Sequence, residues 1–412
     1  MFSMRGRWVC CLDLDTFFVS VERLLDPSLE GLPVIVGGRR GGPGVVTACS
    51  YEVRRYGVRS GMSMREASQL APAETVFLSG RHGVYAPYAQ KVRAVLERYT
   101  PVVQAASIDE FYLDFTGTER LYADARDEDG AATIERTVRA MREAVAQEVG
   151  LPASAGVGGS KIVAKIASGR AKPAGVCMVR HGAEEDFLRR LPVRKFPGIG
   201  PRAEAQMRVE GLYTLHELVS ESTAAARRRF ARTIAAVERE LSGEGSARFG
   251  RERPAFREHD PMGQRAGSIS NERTFFAGLH DEQRVLDQLL GLTERVCWRA
   301  RQRGLRARTV SLKLRTTDFH TVQRSCTGEA SAEEQEMLAR VKALYRKVRP
   351  RAEGLPVRLV GIALSNLVDD GGQLALPFTQ TKRVAGAVDA IRHKCGYDAV
   401  RLGAVGKTRT FE

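Results

Sequence analysis

The sequence predicts an α+β protein of several domains, and three observations carry that reading. Strand-like apolar runs end in acids: Trp8-Val9-Cys10-Cys11-Leu12 leads into Asp13, and the run Ser107 to Asp114 contains the adjacent pair Asp109 and Glu110. Residues 246–268 are rich in charge, with Pro254, Pro261 and several glycines, which marks a linker. Beyond the linker the pattern reads strand, helix, strand, strand, helix, strand, a split βαβ unit. A chain of 412 residues is too long for one small core, and a prior of roughly 150 residues per domain points to about three.

After the first strand, a helix is expected from Thr16 towards Leu24. Leu32 to Val36 reads as a strand, Gly37 to Gly44 as a glycine-rich loop, and Val45 to Cys49 as another strand, so residues 17–82 form a small insertion. A helix over 85–98 leads into Val102-Val103 and the acid-bearing hairpin. Thr133 to Val149 places Val138, Met141, Val145 and Val149 on one helical stripe. Ala153 to Val157 is a strand, and 160–171 is helical and rich in lysine. Residues 186–220 read as short helices and turns. In the last domain Ser268 to Phe276, Thr309 to Arg315, 319–326 and 357–367 are the strands. The helices are 281–303, through Val285, Leu289, Leu292 and Val296, and 332–348, through Leu338, Val341, Leu344 and Tyr345. The outward row of Lys313 and Arg315 is either solvated surface or a surface laid against a phosphate backbone.

Composition narrows the function classes. A 43% hydrophobic and 27% charged chain is that of a soluble globular protein. It has no uninterrupted apolar run of membrane-spanning length, and Met1 is followed by Arg5 and Arg7 and then directly by a strand, unlike a signal peptide. The seven cysteines lack paired CxxC spacing and lie mostly in apolar segments. They read as reduced core residues of a cytoplasmic protein, not as a disulfide framework or a zinc site. A net charge of +15 and a pI near 9.8 favour a polyanionic partner. No amphipathic basic anchor points to a membrane, so nucleic acid is the better match.

Strand side chains alternate between faces, so Asp109 and Glu110 reach one site only where the chain bends, as at a hairpin tip. Strand tips that gather three carboxylates can hold two hard divalent cations about 3.5–4 Å apart, the arrangement used in nucleotidyl transfer. An isolated acid pair, by contrast, is usually a solvated turn or a helix cap.

Asp13 to Glu22, Ser50 to Met62, Ser107 to Asp114 and Ala164 to Ser168 together resemble the Y-family translesion DNA polymerases of the bacterial polymerase IV type, collinearly over about residues 8–370. The resemblance implies a palm (1–16 and 83–179), fingers (17–82), a thumb (180–246), a linker (247–267), a little finger (268–368) and a tail (369–412). It implies that Asp13, Asp109 and Glu110 are catalytic and hold two Mg²⁺ ions, with the Leu14 carbonyl a further candidate ligand and Asp15 a supporting or structural residue. Phe18 corresponds to the aromatic gate that excludes a 2′-hydroxyl, while Phe17 is the expected core residue. Tyr51, Arg54 and Lys172 match residues that grip the incoming triphosphate. Lys161 and Lys165 either hold phosphates or solvate a helix face. Two positions depart from the family pattern: Ala48, with Thr47 one place earlier, stands for a common threonine, and Ser160 for a common asparagine.

Phe196 to Pro201 resembles a helix-hairpin-helix, in which Gly198 and Gly200 let backbone N–H groups approach a DNA phosphate. Gln373, Leu374, Leu376 and Phe378, in the segment 373–378, resemble the peptide that docks on a sliding clamp. The partners implied are primer-template DNA, dNTPs and that clamp, with the chain itself a monomer. The resulting expectation is a low-fidelity, Mg²⁺-dependent, template-directed DNA polymerase. A catalytically silent DNA- and clamp-binding scaffold is the alternative, and a palm-type nucleotidyl cyclase a weaker one. Residues 379–412 have some helical pattern and no assigned role.

Overall fold

A computed structural model describes residues 6–125, 127–246, 267–349, 354–369 and 380–400, and the chain divides into two compact units, Met1–Glu252 and Arg253–Glu412. The first unit begins β1 (Val9–Leu14), α1 (Phe17–Leu25), β2 (Val34–Val36), β3 (Ala48–Cys49), α2 (Tyr51–Arg54), α3 (Met64–Leu70) and β4 (Val76–Leu78). It continues α4 (His82–Leu96), β5 (Val103–Ala105), β6 (Glu110–Asp114), α5 (Glu119–Tyr122), α6 (Gly130–Val149), β7 (Ala153–Gly158), α7 (Lys161–Ala171) and β8 (Val176–Met178). Four helices close it: α8 (Glu184–Arg189), α9 (Pro201–Val209), α10 (Leu215–Ser220) and α11 (Ala224–Leu241).

Its main sheet has the order β5-β6-β1-β7-β8, with β1 antiparallel to both neighbours. Val9, Cys10, Cys11, Leu12 and Leu14 are all buried, as an almost unbroken apolar run requires of a strand covered on both faces. Helix α7 covers one face. Helix α6 packs on β7 and β8 through a stripe of buried Ile134, Val138, Met141 and Val145, and Val149 is only half-buried. The insertion carries its own three-stranded sheet, β3-β2-β4, over a core of Ile35, Cys49, Val53, Val58 and Met64. The strand expected from Val45 begins only at Ala48, and the helix expected from residue 85 begins at His82. Helices α8 to α11 enclose Leu188, Phe196, Met207, Leu215 and Phe230. Helix α11 was not anticipated from the sequence. Among the described residues no helix is long and apolar enough to cross a membrane.

The second unit contains β9 (Ser268–Leu279), α12 (Glu282–Gln302), β10 (Leu305–Thr316), β11 (Thr321–Ser331), α13 (Glu334–Val348), β12 (Val357–Asp369) and α14 (Gln380–Cys395). Through β12 this is the expected β-α-β-β-α-β order, folded as an antiparallel sheet β11-β10-β12-β9. Val285, Leu289 and Val296 of α12 meet Val310, Leu312 and Leu314 of β10. On α13 it is Met337, rather than the expected Leu338, that is fully buried. On the opposite face of the sheet Lys313 pairs with Glu272 at 3.0 Å and Arg315 donates to the Thr321 hydroxyl at 2.7 Å.

Helix α14, which follows the last strand, is anchored to α12 by charge. The Arg392 guanidinium meets the Glu294 carboxylate with both side chains buried, and Arg301 makes a two-pronged contact with Asp389 at 2.7 and 2.9 Å. Tyr397 stacks at a tilt on Trp298, with ring centres 4.9 Å apart. Removing one partner of a buried ion pair strands the other charge, at a cost of about 3–5 kcal/mol. Glu294→Ala is therefore expected to lower the unfolding midpoint of the second unit in urea, and an unchanged midpoint would show that α14 contributes nothing to its stability.

Candidate active site

The register of β1 against β6 brings the acids together. Asp13 lies directly opposite Glu110, and opposed residues of an antiparallel pair put their side chains on one face. One residue on, the Leu14 N–H donates to the Asp109 carbonyl at 2.9 Å. Asp109 occupies the tight turn between β5 and β6, where the N–H groups of Ala106 and Ser107 both donate to the Glu110 carbonyl at 2.8 and 3.2 Å. This bend is what allows two neighbouring acids to serve one place.

Each carboxylate is held by its own donor. The Lys172 ammonium reaches Asp13, the Lys165 ammonium reaches Glu110, and the Ser107 hydroxyl donates to Asp109. Thus, among the described residues, no three acid, histidine or cysteine side chains converge closely enough to hold a metal ion as they stand. The donor chemistry nevertheless suits a hard cation, since carboxylate oxygens stand at neighbouring strand ends; a cation there would have to displace the Lys172 and Lys165 ammonium groups from two of them. Burial raises the Asp13 carboxyl above its usual range; Lys172 opposes that shift, and the charges of Asp109 and Glu110 add to it. For Lys165, burial works against the ammonium form, but the hydrogen bond and charge of Glu110 outweigh it and raise its pKa.

Helix α7 delivers Lys165 because it can lie very close to the sheet. Gly156 of β7 faces it so tightly that a Cβ there would come within 2.0 Å of the Ser168 nitrogen and 2.2 Å of the Ala164 carbonyl oxygen. Ser160 caps this helix through the Val163 N–H at 3.1 Å and donates to the buried Glu240 of α11. At this position, then, the departure from asparagine gives a helix cap and a bond between elements. Lys161 is directed to the Gln104 side chain.

Asp15, just past β1, is 2% exposed and accepts from Ser154 Oγ and the Ala174 N–H at 2.8 Å each and from the Tyr51 hydroxyl at 3.2 Å. Lys172 lies 3.8 Å from it. The Arg54 guanidinium sits over the Tyr51 ring, 4.7 Å from its centre. Burial first, and then the Asp15 charge, push the Tyr51 phenol up to about 12, so it is a hydrogen-bond donor at neutral pH. The sequence-predicted residues Asp13, Asp109, Glu110, Tyr51, Arg54 and Lys172 therefore gather around the end of one strand. The Thr47 hydroxyl is taken by the Val36 carbonyl at 2.9 Å and does not stand in for the missing threonine at Ala48.

Thr16 turns the chain into α1 with φ 45°, a costly conformation for a β-branched residue. Phe17 is buried and Phe18 half-exposed. The Phe18 ring stacks on Tyr85 with centres 4.2 Å apart and planes 18° from parallel, and Tyr85 is fixed by donating to Glu22 at 2.7 Å. Sequence reasoning passed over Tyr85, Ser107 and Ser154. Tyr85 and Ser154 meet partners far along the chain, Glu22 and Asp15, and no local pattern marks them; Ser107 meets Asp109 only two residues away, a local pairing that the acid run itself contains.

Away from the acids, Gly198 has φ +98°, Gly200 is the N-cap of α9, and Pro201 occupies the first helical position. Nothing lies within 4 Å of where a Cβ would stand on either glycine, so their backbone is open to a large ligand. Phe196 and Ile199 anchor the turn in the core. The predicted clamp residues Gln373, Leu374, Leu376 and Phe378 lie outside the described residues.

Comparison with known proteins matches this arrangement to a class. The impB/mucB/samB family matches residues 12–169, its C-terminal domain residues 266–376, and the helix-hairpin-helix motif of the same family residues 181–211. Among solved structures, a Y-family DNA polymerase chimera of Dbh and Dpo4 superposes with a TM-score of 0.74 at 22% identity, over 88% of this chain and 99% of that one. An insertion ternary complex of Dbh DNA polymerase gives a TM-score of 0.60 at 21% identity. The fold is thus that of the Y-family polymerases.

Sequence relatives carry the match further. DNA polymerase IV of Dehalococcoides mccartyi (strain CBDB1) is 32% identical over 97% of this chain and 98% of its own length. DNA polymerase IV of Alkalilimnicola ehrlichii is 35% identical over 90% and 100%. The chain belongs to the impB/mucB/samB family of Y-family DNA polymerases, polymerase IV type, and is a DNA-directed DNA polymerase.

Gly156→Ala tests whether the close approach of α7 is required. A methyl group forced into a packed contact costs about 1–3 kcal/mol, so the variant is expected to unfold at lower temperature and to lose activity as Lys165 is pushed from Glu110. Wild-type stability and activity would mean that the helix has room to give.

Proposed function

We propose that this chain extends a primer along a template strand with dNTPs, in low-fidelity synthesis across damaged DNA, using Asp13, Asp109 and Glu110 to hold two Mg²⁺ ions. The observation that carries the reading is the cross-strand pairing of Asp13 with Glu110, with Asp109 bonded to the next residue of β1. Bound there, a pair of divalent cations supplies charge stabilisation at the attacking and leaving oxygens of an in-line displacement. The protein's own part is to bind and orient. Tyr51, Arg54 and Lys172 hold the triphosphate, the arginine as a planar fork and the lysine as a point charge. Phe18, backed by Tyr85, closes the space that a 2′-hydroxyl would need. Gly198 and Gly200 offer backbone N–H groups to a DNA phosphate. Residues 1–16 and 83–179 act as palm, 17–82 as fingers, 180–246 as thumb, 247–267 as linker and 268–368 as little finger. The tail 369–412 carries the clamp-docking peptide 373–378. The enzyme works as a cytoplasmic monomer.

Primer extension on a primed template with Mg²⁺ and dNTPs is the direct test. The native chain is expected to extend the primer and the Asp109→Ala/Glu110→Ala variant to lose that activity while still binding DNA. Equal failure of both chains would leave only a binding scaffold. Adding a sliding clamp to the same assay is expected to stimulate the native chain but not one lacking 373–378, and stimulation of both would remove the clamp assignment. Phe18→Ala is expected to raise rNTP incorporation relative to dNTP, by about tenfold for each 1.4 kcal/mol of lost discrimination. An unchanged preference would place the sugar gate elsewhere.

A further inference from the structure

We infer that Asp15 is a positioning residue for the incoming nucleotide: its carboxylate fixes the triphosphate-gripping groups at a set distance from the catalytic acids. The inference rests on the function proposed above and concerns the same site. Asp15 is not itself one of the acids proposed to hold metal. Both its carboxylate oxygens are already engaged: Oδ2 by Ser154 Oγ and the Ala174 N–H, Oδ1 by the Tyr51 hydroxyl, with Lys172 3.8 Å from Oδ1. Its backbone is fixed as well. The Asp15 N–H donates to the Pro152 carbonyl at 2.9 Å, and its carbonyl accepts from Ser20 Oγ at 2.7 Å.

The partners of the carboxylate come from three segments, two of which, β7 and the loop after α7, are also joined by the Ala155 N–H donating to the Gly175 carbonyl at 2.9 Å. Ser154 belongs to β7, Ala174 follows Lys172 in the loop after α7, and Tyr51 is the first residue of α2 in the insertion. The shared acceptor therefore joins the sheet, the lysine loop and the insertion at one buried point, two residues beyond Asp13. Tyr51 in turn supports the Arg54 guanidinium on its ring face. An anion at this point has two effects. It holds the tyrosine and lysine against the strand end before any nucleotide arrives. It also offsets part of the positive charge of Lys172 and Arg54, which would otherwise repel each other with no substrate present. A buried acceptor that satisfies several donors is costly to replace, because each donor left behind is unpaired.

The test is single-nucleotide insertion by the full chain, with kcat and KM for dNTP measured separately, for Asp15→Asn, Tyr51→Phe, the double variant and Ser154→Ala. Asp15→Asn keeps the shape but replaces one acceptor oxygen with an NH₂ group, so it is expected to raise KM for dNTP about tenfold, equivalent to about 1.4 kcal/mol, with a smaller fall in kcat and unchanged DNA affinity. Tyr51→Phe removes only the hydroxyl that meets Asp15, so the double variant is expected to be less than additive. Ser154→Ala cuts the tie to the sheet but none to the grip. Because the Ala174 N–H and the Asp15 backbone bonds remain, it is expected to raise KM by less than Asp15→Asn does. Asp15→Asn with KM unchanged, or with loss confined to thermal stability, would make Asp15 a structural residue and overturn the inference. So would strict additivity with Tyr51→Phe. A native chain inert in the assay would instead overturn the proposed function.

Discussion

The pairing of β1 with β6 is the constraint on which the site depends. Asp13 faces Glu110 only because Val9 faces Asp114 and Cys11 faces Tyr112 along the same ladder. A slip by one residue would turn Asp13 to the other face of the sheet, and all the apolar residues of β1 with it. Because β1 is apolar on both faces, burial alone does not choose the register; it rests on how the five buried residues of the six fit the side chains packed on each face. The acids inherit their precision from packing they do not themselves supply.

That arrangement carries an electrostatic cost. Three carboxylates at neighbouring strand ends repel each other, and burial raises the Asp13 carboxyl further. The fold offsets this with two lysines from one helix and the loop that follows it. Lys165 comes from the middle of α7 and Lys172 from just beyond its end. Both reach the sheet because Gly156 lets the helix backbone rest directly on β7. A side chain at that position would lift the helix and separate acid from base, so the glycine belongs to the electrostatics of the site as much as to its packing.

Legibility in the sequence followed the range of the interaction. The β-α-β-β-α-β order could be read because its helices and strands announce themselves by periodicity within a few residues, and the acid hairpin because apolar runs flank it. The pairings Lys165 to Glu110 and Lys172 to Asp13 span 55 and 159 residues and depend on how closely a helix approaches a sheet, which no local pattern encodes. Helix α14 is a similar case. Its apolar stripe is weak, and it is held by Arg392 and Asp389 meeting charges on α12, contacts that a hydrophobic pattern does not reveal. Lys313 and Arg315 read as an outward basic row, and their partners come from other strands: Glu272 of β9, reached across Gly361 of β12, and Thr321 of β11.

The groups proposed to grip the triphosphate are the same groups that satisfy the acids without it. Lys172 binds Asp13 and lies near Asp15, and the Tyr51 hydroxyl is spent on Asp15. In a half-buried site an unpaired charge is expensive, so a grip kept empty and waiting would destabilise the fold. Letting Asp13 serve as the temporary partner of Lys172 removes that penalty, at the cost of a competition the substrate has to win, while Asp15 keeps Tyr51 in place throughout. A nucleotide brought in with divalent cations would meet both demands: Asp13, Asp109 and Glu110 would hold the cations and Lys172 the phosphates. On this reading the ion pairs of the free enzyme are its substrate interactions in exchanged form, and affinity for the nucleotide is set by the difference between the two sets, not by the strength of either.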